Sequence, residues 1–218
     1  MNVLTTSKVL TFTAIFVLAL SGCSSDNPAN NNGADKPSFE NVKSKRAGNN
    51  TVVVQESADI DKMNPITSTS ANAGYVHEKV FQGLLNVHPE APFEYVPVLA
   101  EARPTITPIN EGEFEGGLKI EYRIRDEAVW DNGEPITAAD AIFTLKAIKN
   151  PKTDAAHLRG YYDFIRDIEA DPNDPKKLTM YCADRYFMAE IWSALTVLPE
   201  YIYDPKGLMR NFTIRQLN

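Results

Sequence analysis

Side chains that could carry out catalysis or bind a metal are few in this 218-residue chain and lie far apart. His77, His88 and His157 pair neither with one another nor with a cysteine at the short spacings typical of a metal site. The acidic segment 171–174 lacks the glycine and the distal glutamate of a calcium loop. Clustered carboxylates over 126–134 are explained as exposed turn acids. The sequence therefore predicts no enzyme, no metal site and no cofactor.

Cys23 is the residue with the clearest chemical role. One cation, Lys8, precedes an apolar run from Val9 to Leu20, and Leu20-Ser21-Gly22-Cys23 follows. As a helix the run spans about 18 Å, short of a hydrocarbon core of about 30 Å, which is typical of a signal peptide rather than a membrane span. The last four residues are similar to a lipobox, in which the cysteine thiol takes a diacylglyceryl group. They predict a lipoprotein signal peptide over residues 1–22 and a lipidated Cys23. The alternative is an ordinary secretory signal that ends near a cysteine.

Composition limits the partners of the mature chain. Removing residues 1–22 takes away Lys8 and no acid, so the net charge falls from −7 to −8. An acidic chain gains nothing from counterion release on nucleic acid, so no nucleic-acid partner is expected. Residues 23–50 are polar and cannot bury enough apolar area to offset the entropy of ordering. They predict a disordered tether to a membrane that is held through acyl chains.

The second cysteine, Cys182, has no disulfide partner if Cys23 is acylated. It ends the segment Leu178-Thr179-Met180-Tyr181-Cys182, in which it shares a strand face with Leu178 and Met180. A small buried core residue is the expected role of this thiol.

The folded part is predicted to begin at Thr51. The β-branched run Thr51–Gln55 favours a strand that is buried on both faces. A loop over Asp59–Ser70 follows, in which Pro65 pushes Asn64 to extended geometry. Apolar residues spaced for one helix face predict a helix over Gly74–Leu85.

The remaining elements follow from periodicity and capping signals. Leu118–Arg125 alternates apolar with charged residues, which predicts a strand with one buried face. Thr137 and Asp140 predict a capping box for a helix that ends at Lys149. The other predicted elements are a polar connection over 151–162, two strands over 165–169 and 178–182, and a helix over 187–195.

A spaced series of segments is more specific than any single motif. Its members are Asp61-Lys62-Met63-Asn64-Pro65, Val80-Phe81-Gln82-Gly83-Leu84-Leu85, Pro97-Val98-Leu99-Ala100-Glu101 and the run from Val129-Trp130-Asp131-Asn132-Gly133 to Ala141. This series resembles bacterial solute-binding proteins of family 5, the oligopeptide- and dipeptide-binding type. The resemblance covers about residues 51–205, and residues 130–140 match best in type and spacing. Gln82 stands where the family often has an acid.

The resemblance implies a mixed α/β fold, the first lobe of a two-lobed periplasmic-binding-protein type II fold, here incomplete. Residues 51–88 would begin lobe I, 89–205 would form an inserted α+β subdomain, and 206–218 a truncated continuation. It implies a substrate-binding lipoprotein of an ABC importer, lipid-anchored in the cell envelope and facing the periplasm or exterior. Its partners would be the importer's permease subunits and a peptide or similar small solute.

Two other functions stay open. A surface-anchored interaction lipoprotein would use the same lobe to dock a protein and would carry no small molecule. A lipid-anchored hydrolase is disfavoured, because no nucleophile and base are paired in the sequence.

The predicted ligand-binding residues are Thr67, Ser68, Thr69, Ser70 and Ala71. They lie between a predicted buried strand and a predicted helix, and such a junction faces the ligand crevice in open α/β sheets. Their small hydroxyls can donate and accept hydrogen bonds at close range, which suits a peptide backbone. The alternative is a solvated loop that caps the helix.

We predict that the mature chain begins at an acylated Cys23. Mass spectrometry of the membrane fraction should find acyl mass on this residue, and Cys23→Ala should accumulate unprocessed precursor. A soluble, unmodified mature chain would contradict the prediction.

Overall fold

The computed structural model describes residues 54–60 and 62–217. The predicted signal peptide, Cys23, the tether and most of the predicted strand Thr51–Gln55 lie outside these residues. Val54 and Gln55 belong to no regular element. Within the described part of the chain, no helix is both long enough and apolar enough to cross a membrane.

Six strands form two antiparallel sheets in the unit Gln55–Asn218. A hairpin of two strands comes first, and a sheet in the order β3-β4-β6-β5 follows. The strands are β1 Leu85–His88, β2 Ala91–Pro97, β3 Thr105–Pro108, β4 Leu118–Arg123, β5 Ile165–Ala170 and β6 Lys177–Cys182.

Helices complete a mixed α/β fold, as the sequence predicts. The α-helices are α1 Ala71–Val80, α2 Ala138–Lys149, α3 Ala156–Tyr162, α4 Ala189–Ser193, α5 Glu200–Tyr203 and α6 Ile214–Leu217, with a 3-10 turn over Leu208–Asn211.

The alternation in β4 builds the core as predicted. Ile120 and Tyr122 are buried and lie opposite Met180 and Leu178 of β6. Cys182 ends the buried face of β6, and burial raises the pKa of its thiol to about 12. The prediction of a buried core thiol is confirmed.

Helix α2 packs against this sheet because it is apolar on nearly every side. Ala141 and Leu145 belong to the main core, whereas Phe143 and Ile148 belong to a second cluster with Leu198. Its start is capped as predicted: Asp140 Oδ2 accepts a hydrogen bond from the Thr137 amide at 2.9 Å. The helix therefore lies between two cores and joins them.

Three predicted segments differ from the structure. The predicted helix over Gly74–Leu85 begins earlier, at Ala71, and ends at Val80. Gly83 explains the early end, since it bridges to Thr196, and a Cβ there would lie 2.9 Å from the Leu85 carbonyl oxygen. The polar connection over 151–162 contains α3, and the helix predicted over 187–195 is only the short α4.

A buried ammonium fixes the turn between β4 and α2. Lys176 is 8% exposed, and its Nζ donates to the carbonyl oxygens of Ala128 at 3.1 Å and Ile136 at 2.7 Å. The adjacent backbone adds two bonds, from the Ile124 amide to the Lys176 carbonyl and from the Ala138 amide to the Pro175 carbonyl, both at 2.8 Å. The segment 175–176 thus joins β4, the turn and α2.

Lys176→Met should lower the free energy of unfolding by about 1–3 kcal/mol, because the buried Ile136 carbonyl loses its donor. The Ala128 carbonyl keeps the hydrogen bond from the Ile136 amide at 3.0 Å. The matched control is Lys177→Met, which removes a half-buried lysine 3.6 Å from Glu121 and should cost about 1 kcal/mol or less. Urea unfolding measures both variants. Equal midpoints for the two would contradict the role given to Lys176.

Candidate functional site

The loop before α1 is held by the side chain and backbone of Asn64. Its Oδ1 accepts hydrogen bonds from the amides of Ile66 at 2.9 Å and Thr67 at 3.2 Å, and its carbonyl accepts from the Ser68 amide at 3.0 Å. Such an Asx turn is typical of asparagine before proline. Ile66 is buried against the second core, so the loop is fixed at this end by packing as well.

The start of α1 carries donors that no described residue uses. Ser70 is the N-cap in extended geometry, and its side chain makes no capping hydrogen bond. The first bond of the helix runs from the Gly74 amide to the Ser70 carbonyl at 3.2 Å, so the amides of residues 71–73 point out of the helix end. The hydroxyl-bearing Thr67 and Thr69 lie in the loop that leads to this helix start. Aligned peptide dipoles favour a partially negative oxygen there.

A second polar side chain anchors α1 from its other side. Asn72 is buried, and its Nδ2 donates to the carbonyl of Ala58 at 2.6 Å. This bond ties the segment 54–60 to the first turn of the helix, so the helix end and the chain that leads to it are held together.

A cavity of about 410 Å³ opens along α1, directly beyond this loop. Pro65 and Ile66 form the wall nearest the loop, and one face of α1 forms another through Gly74, His77 and Glu78. The opposite walls come from several elements and include Phe81, Leu85, Asn86, Thr144, Ile148, Leu158, Tyr162 and Leu198. This volume lies in the range of small-molecule pockets.

Polar and apolar groups both line this cavity, in about equal measure. Burial raises the pKa of Tyr162 to about 12, so its hydroxyl stays protonated and can donate a hydrogen bond. His77 Nε2 lies 3.0 Å from the carbonyl oxygen of Met63, which can only accept, so this nitrogen donates. Within the described ranges, no group of three or more His, Cys, Asp or Glu side chains is placed to hold a metal ion.

The structure brings the five predicted site residues onto one turn but not into the cavity. Thr67, Ser68 and Ser70 are half-buried, and Thr69 and Ala71 are exposed. None of the five lines the cavity, which is bounded by the residues on either side of them. Cys23, the predicted lipidation site, lies outside the described residues.

Sequence reasoning missed the cavity itself. The spacing of Gly74, His77, Glu78 and Phe81 indicates one face of a helix, but it gives no sign of what stands opposite. Tyr162 and Leu198 reach that face from α3 and from the segment before α5. Only the packing of distant segments places them there.

Comparisons with known proteins identify a matching family and several relatives. The family model for bacterial extracellular solute-binding proteins, family 5 Middle, matches residues 94–212. Protein XP55 of Streptomyces lividans is 25% identical over 152 residues, which are 70% of this chain and 25% of that protein. An uncharacterized lipoprotein of Mycobacterium tuberculosis (strain CDC 1551 / Oshkosh) is 29% identical over 89 residues, 39% of this chain and 16% of that protein. The chain thus spans a quarter or less of the length of these relatives.

Solved structures share the fold at low sequence identity. Listeria monocytogenes OppA bound to peptide has a TM-score of 0.58 at 19% identity, and the match covers 70% of this chain and 31% of that one. The oligopeptide binding protein from Thermus thermophilus, complexed with a pentapeptide, has a TM-score of 0.51 at 20% identity, over 65% and 23%. NikZ from Campylobacter jejuni in complex with Ni(L-His) has a TM-score of 0.53 at 22% identity, over 72% and 28%.

We predict that Asn64→Ala lowers the free energy of unfolding by about 1 kcal/mol, because two loop amides lose their acceptor. Asn64→Asp keeps an oxygen at this position and should retain most of the stability. Urea unfolding of both variants measures the difference. A loss of equal size in the two would show that the side-chain acceptor does not hold the loop.

Proposed function

Because the chain belongs to the bacterial extracellular solute-binding proteins of family 5, we propose that it captures a small solute for an ABC importer. The fold is the mixed α/β lobe of that family, and the family and its structural neighbours are binding proteins. Binding would occur in a cleft that closes by hinge motion between two lobes. The permease subunits of the importer would receive the solute.

The observation that carries this proposal is the donor group at the start of α1. The loop that carries the hydroxyls of Thr67 and Thr69 leads directly into the helix start, where Ser70 makes no side-chain cap and the first helical bond begins at the Gly74 amide. Carbonyl and carboxylate oxygens of a peptide are the partners that such donors bind best. The loop Thr67, Ser68, Thr69, Ser70 and Ala71 would therefore hold the backbone of a solute.

The rigidity of the loop supports the same role. Asn64 and the buried Ile66 hold one end, and the bond from Asn72 to Ala58 holds the helix at the other. Donors that are fixed before the solute arrives lose little conformational entropy when it binds. The proposed site thus resembles a preorganised binding site rather than a mobile surface loop.

The structural neighbours bind solutes of more than one chemical class. Two of them hold peptides and one holds Ni(L-His). Main-chain hydrogen bonds to a peptide would suit the donors of this chain. A peptide is therefore the first solute that we propose, and another small solute with exposed carbonyl or carboxylate oxygens is the second.

Anchoring at the cell envelope is also part of the proposal. The residues that lead to Cys23 are similar to a lipobox, and a relative from Mycobacterium tuberculosis is named a lipoprotein. Residues 1–22 would be the signal peptide, 23–50 the tether, 51–88 the start of lobe I, 89–205 the inserted subdomain and 206–218 its continuation. Acyl chains on Cys23 would hold the protein at the membrane, facing the periplasm or exterior.

The test is a triple variant of the full-length protein that carries Thr67→Gln, Thr69→Gln and Ser70→Gln. Bulkier side chains should block access to the amides and weaken solute binding at least about tenfold, which is the loss of one or two good hydrogen bonds. The melting temperature should change little, because the Ser70 side chain makes no capping bond. Calorimetric titration with a peptide mixture measures affinity.

The control is Thr105→Gln, which makes one threonine-to-glutamine change of the same kind at an exposed position of edge strand β3. Its affinity should equal that of the wild type. Equal affinities for all three proteins would remove the loop from the binding site. A wild type that binds no component of the mixture would contradict the peptide proposal and leave the second solute class to be titrated.

A further inference from the structure

Helix α1 contains a glycine that its own geometry does not require. Gly74 is the fourth residue of this ten-residue helix, where glycine is less favourable than alanine because it loses more backbone freedom on folding. Its φ is not in the left-handed region, and a Cβ built on it would lie more than 4 Å from every described atom outside the adjacent helix backbone. Neither backbone conformation nor close packing of the described residues therefore calls for glycine at this position.

Gly74 instead borders the cavity of about 410 Å³. Four residues of α1 that recur every three or four positions, and so share one helix face, line this cavity: Gly74, His77, Glu78 and Phe81. A side chain at position 74 would therefore project along the cavity, and it would lean towards the start of the helix. The missing side chain leaves space between the helix start and the cavity.

The cavity lies within one helical turn of the loop over residues 67–71. The Gly74 amide donates to the Ser70 carbonyl at 3.2 Å, so these two residues are one turn apart, about 5.4 Å along the helix axis. Pro65 and Ile66, just before the loop, form the adjoining wall. A solute whose backbone is held at the loop can thus extend one side chain past Gly74 into the cavity.

The walls of the cavity combine aromatic rings with polar side chains. Phe81 and Tyr162 contribute rings, and Leu198 contributes aliphatic surface. Asn86 and Thr196 contribute an amide and a hydroxyl. An aromatic side chain with a polar tip matches both kinds of wall, because rings pack favourably on rings and an enclosed hydroxyl needs a hydrogen-bond partner.

The wall that includes Leu198 is held at both ends of its segment. At one end Ser193 is buried, and its Oγ lies 2.8 Å from the Tyr122 hydroxyl oxygen. At the other end the Leu198 amide donates to Thr144 Oγ1 at 2.9 Å. Between these two anchors the segment bridges to Gly83. A wall fixed in this way need not be ordered when a solute binds, which favours affinity.

We propose that the cavity is a pocket for an aromatic, tyrosine-like side chain of the solute. This rests on the proposed function, in which the loop before α1 holds the solute backbone. The pocket adds a preference that main-chain hydrogen bonds cannot supply, because every peptide has the same backbone. Burial of one aromatic ring should favour such a solute roughly tenfold or more over one with alanine at the same position.

The compound para-fluorophenol, an analogue of the tyrosine side chain, tests the pocket without a peptide. It is titrated with the full-length protein, and broadening of its fluorine resonance measures binding. Gly74→Leu should weaken binding at least about tenfold, because leucine fills the space beside the helix. The matched control is Gly160→Leu in α3, another helical glycine whose Cβ position has no described neighbour within 4 Å and which does not line the cavity. Its affinity should equal that of the wild type.

Gly74→Ala separates filled space from a damaged helix. It adds a single methyl group, so the affinity for para-fluorophenol should stay within about twofold of the wild type. The melting temperature should rise, because alanine is the better helix former. A loss of affinity that is confined to Gly74→Leu then reports occupation of the cavity.

Pentapeptides connect the pocket with the solute. Penta-alanine is compared by calorimetric titration with peptides that carry one tyrosine at each position in turn. Tyrosine at one position should raise the affinity roughly tenfold or more, and Gly74→Leu should remove this preference while penta-alanine binds as before. A tyrosine preference that Gly74→Leu leaves intact, or no preference at any position, would overturn the proposal.

The outcomes separate this pocket from the proposed function. If para-fluorophenol does not bind the wild type, or binds Gly74→Leu equally well, the pocket is overturned whatever the peptides do. Absent binding together with a melting temperature that Gly74→Leu lowers far more than Gly160→Leu would show that another part of the full-length chain fills the cavity. The triple variant of the loop should lose peptide affinity but keep para-fluorophenol. If that variant binds peptides as the wild type does, the loop fails as the backbone site, and the tyrosine preference still decides the pocket.

Discussion

The pairing of β4 with β6 is the contact on which the rest of the fold depends. It joins residues such as Tyr122 and Leu178 that lie far apart in sequence, and it encloses α2, α3 and β5 between them. Loop closure over such a distance is costly in entropy, so the apolar face that the pairing buries must offset that cost. Lys176 adds to this stabilisation, because its Nζ donates to the buried carbonyls of Ala128 and Ile136 at the end of the paired strands.

The pairing of β4 with β6 also determines where the proposed solute site lies. Helix α2 is held against the sheet by Leu145, and its other side presents Phe143 and Ile148 to the second core. Ile66 packs into that second core and fixes the loop before α1. The donors of the loop are therefore positioned by a chain of packed side chains that begins at the sheet, and a loss of core packing would reach them.

The start of α1 offers hydrogen-bond donors near a cavity of about 410 Å³, whose walls are both polar and apolar. Such a mixed lining suits a small solute that carries polar groups on an apolar body.

The sequence by itself determined the elements that are governed by local physics. Strict alternation predicted β4, and a capping box predicted α2, because each signal acts within a few residues. Spaced motifs also identified the family. The tertiary structure decided the end of α1, since Gly83 pairs with a segment more than 100 residues away, and it assembled the cavity. These features form only where side chains from distant segments come into contact. No local sequence pattern indicates which segments those are.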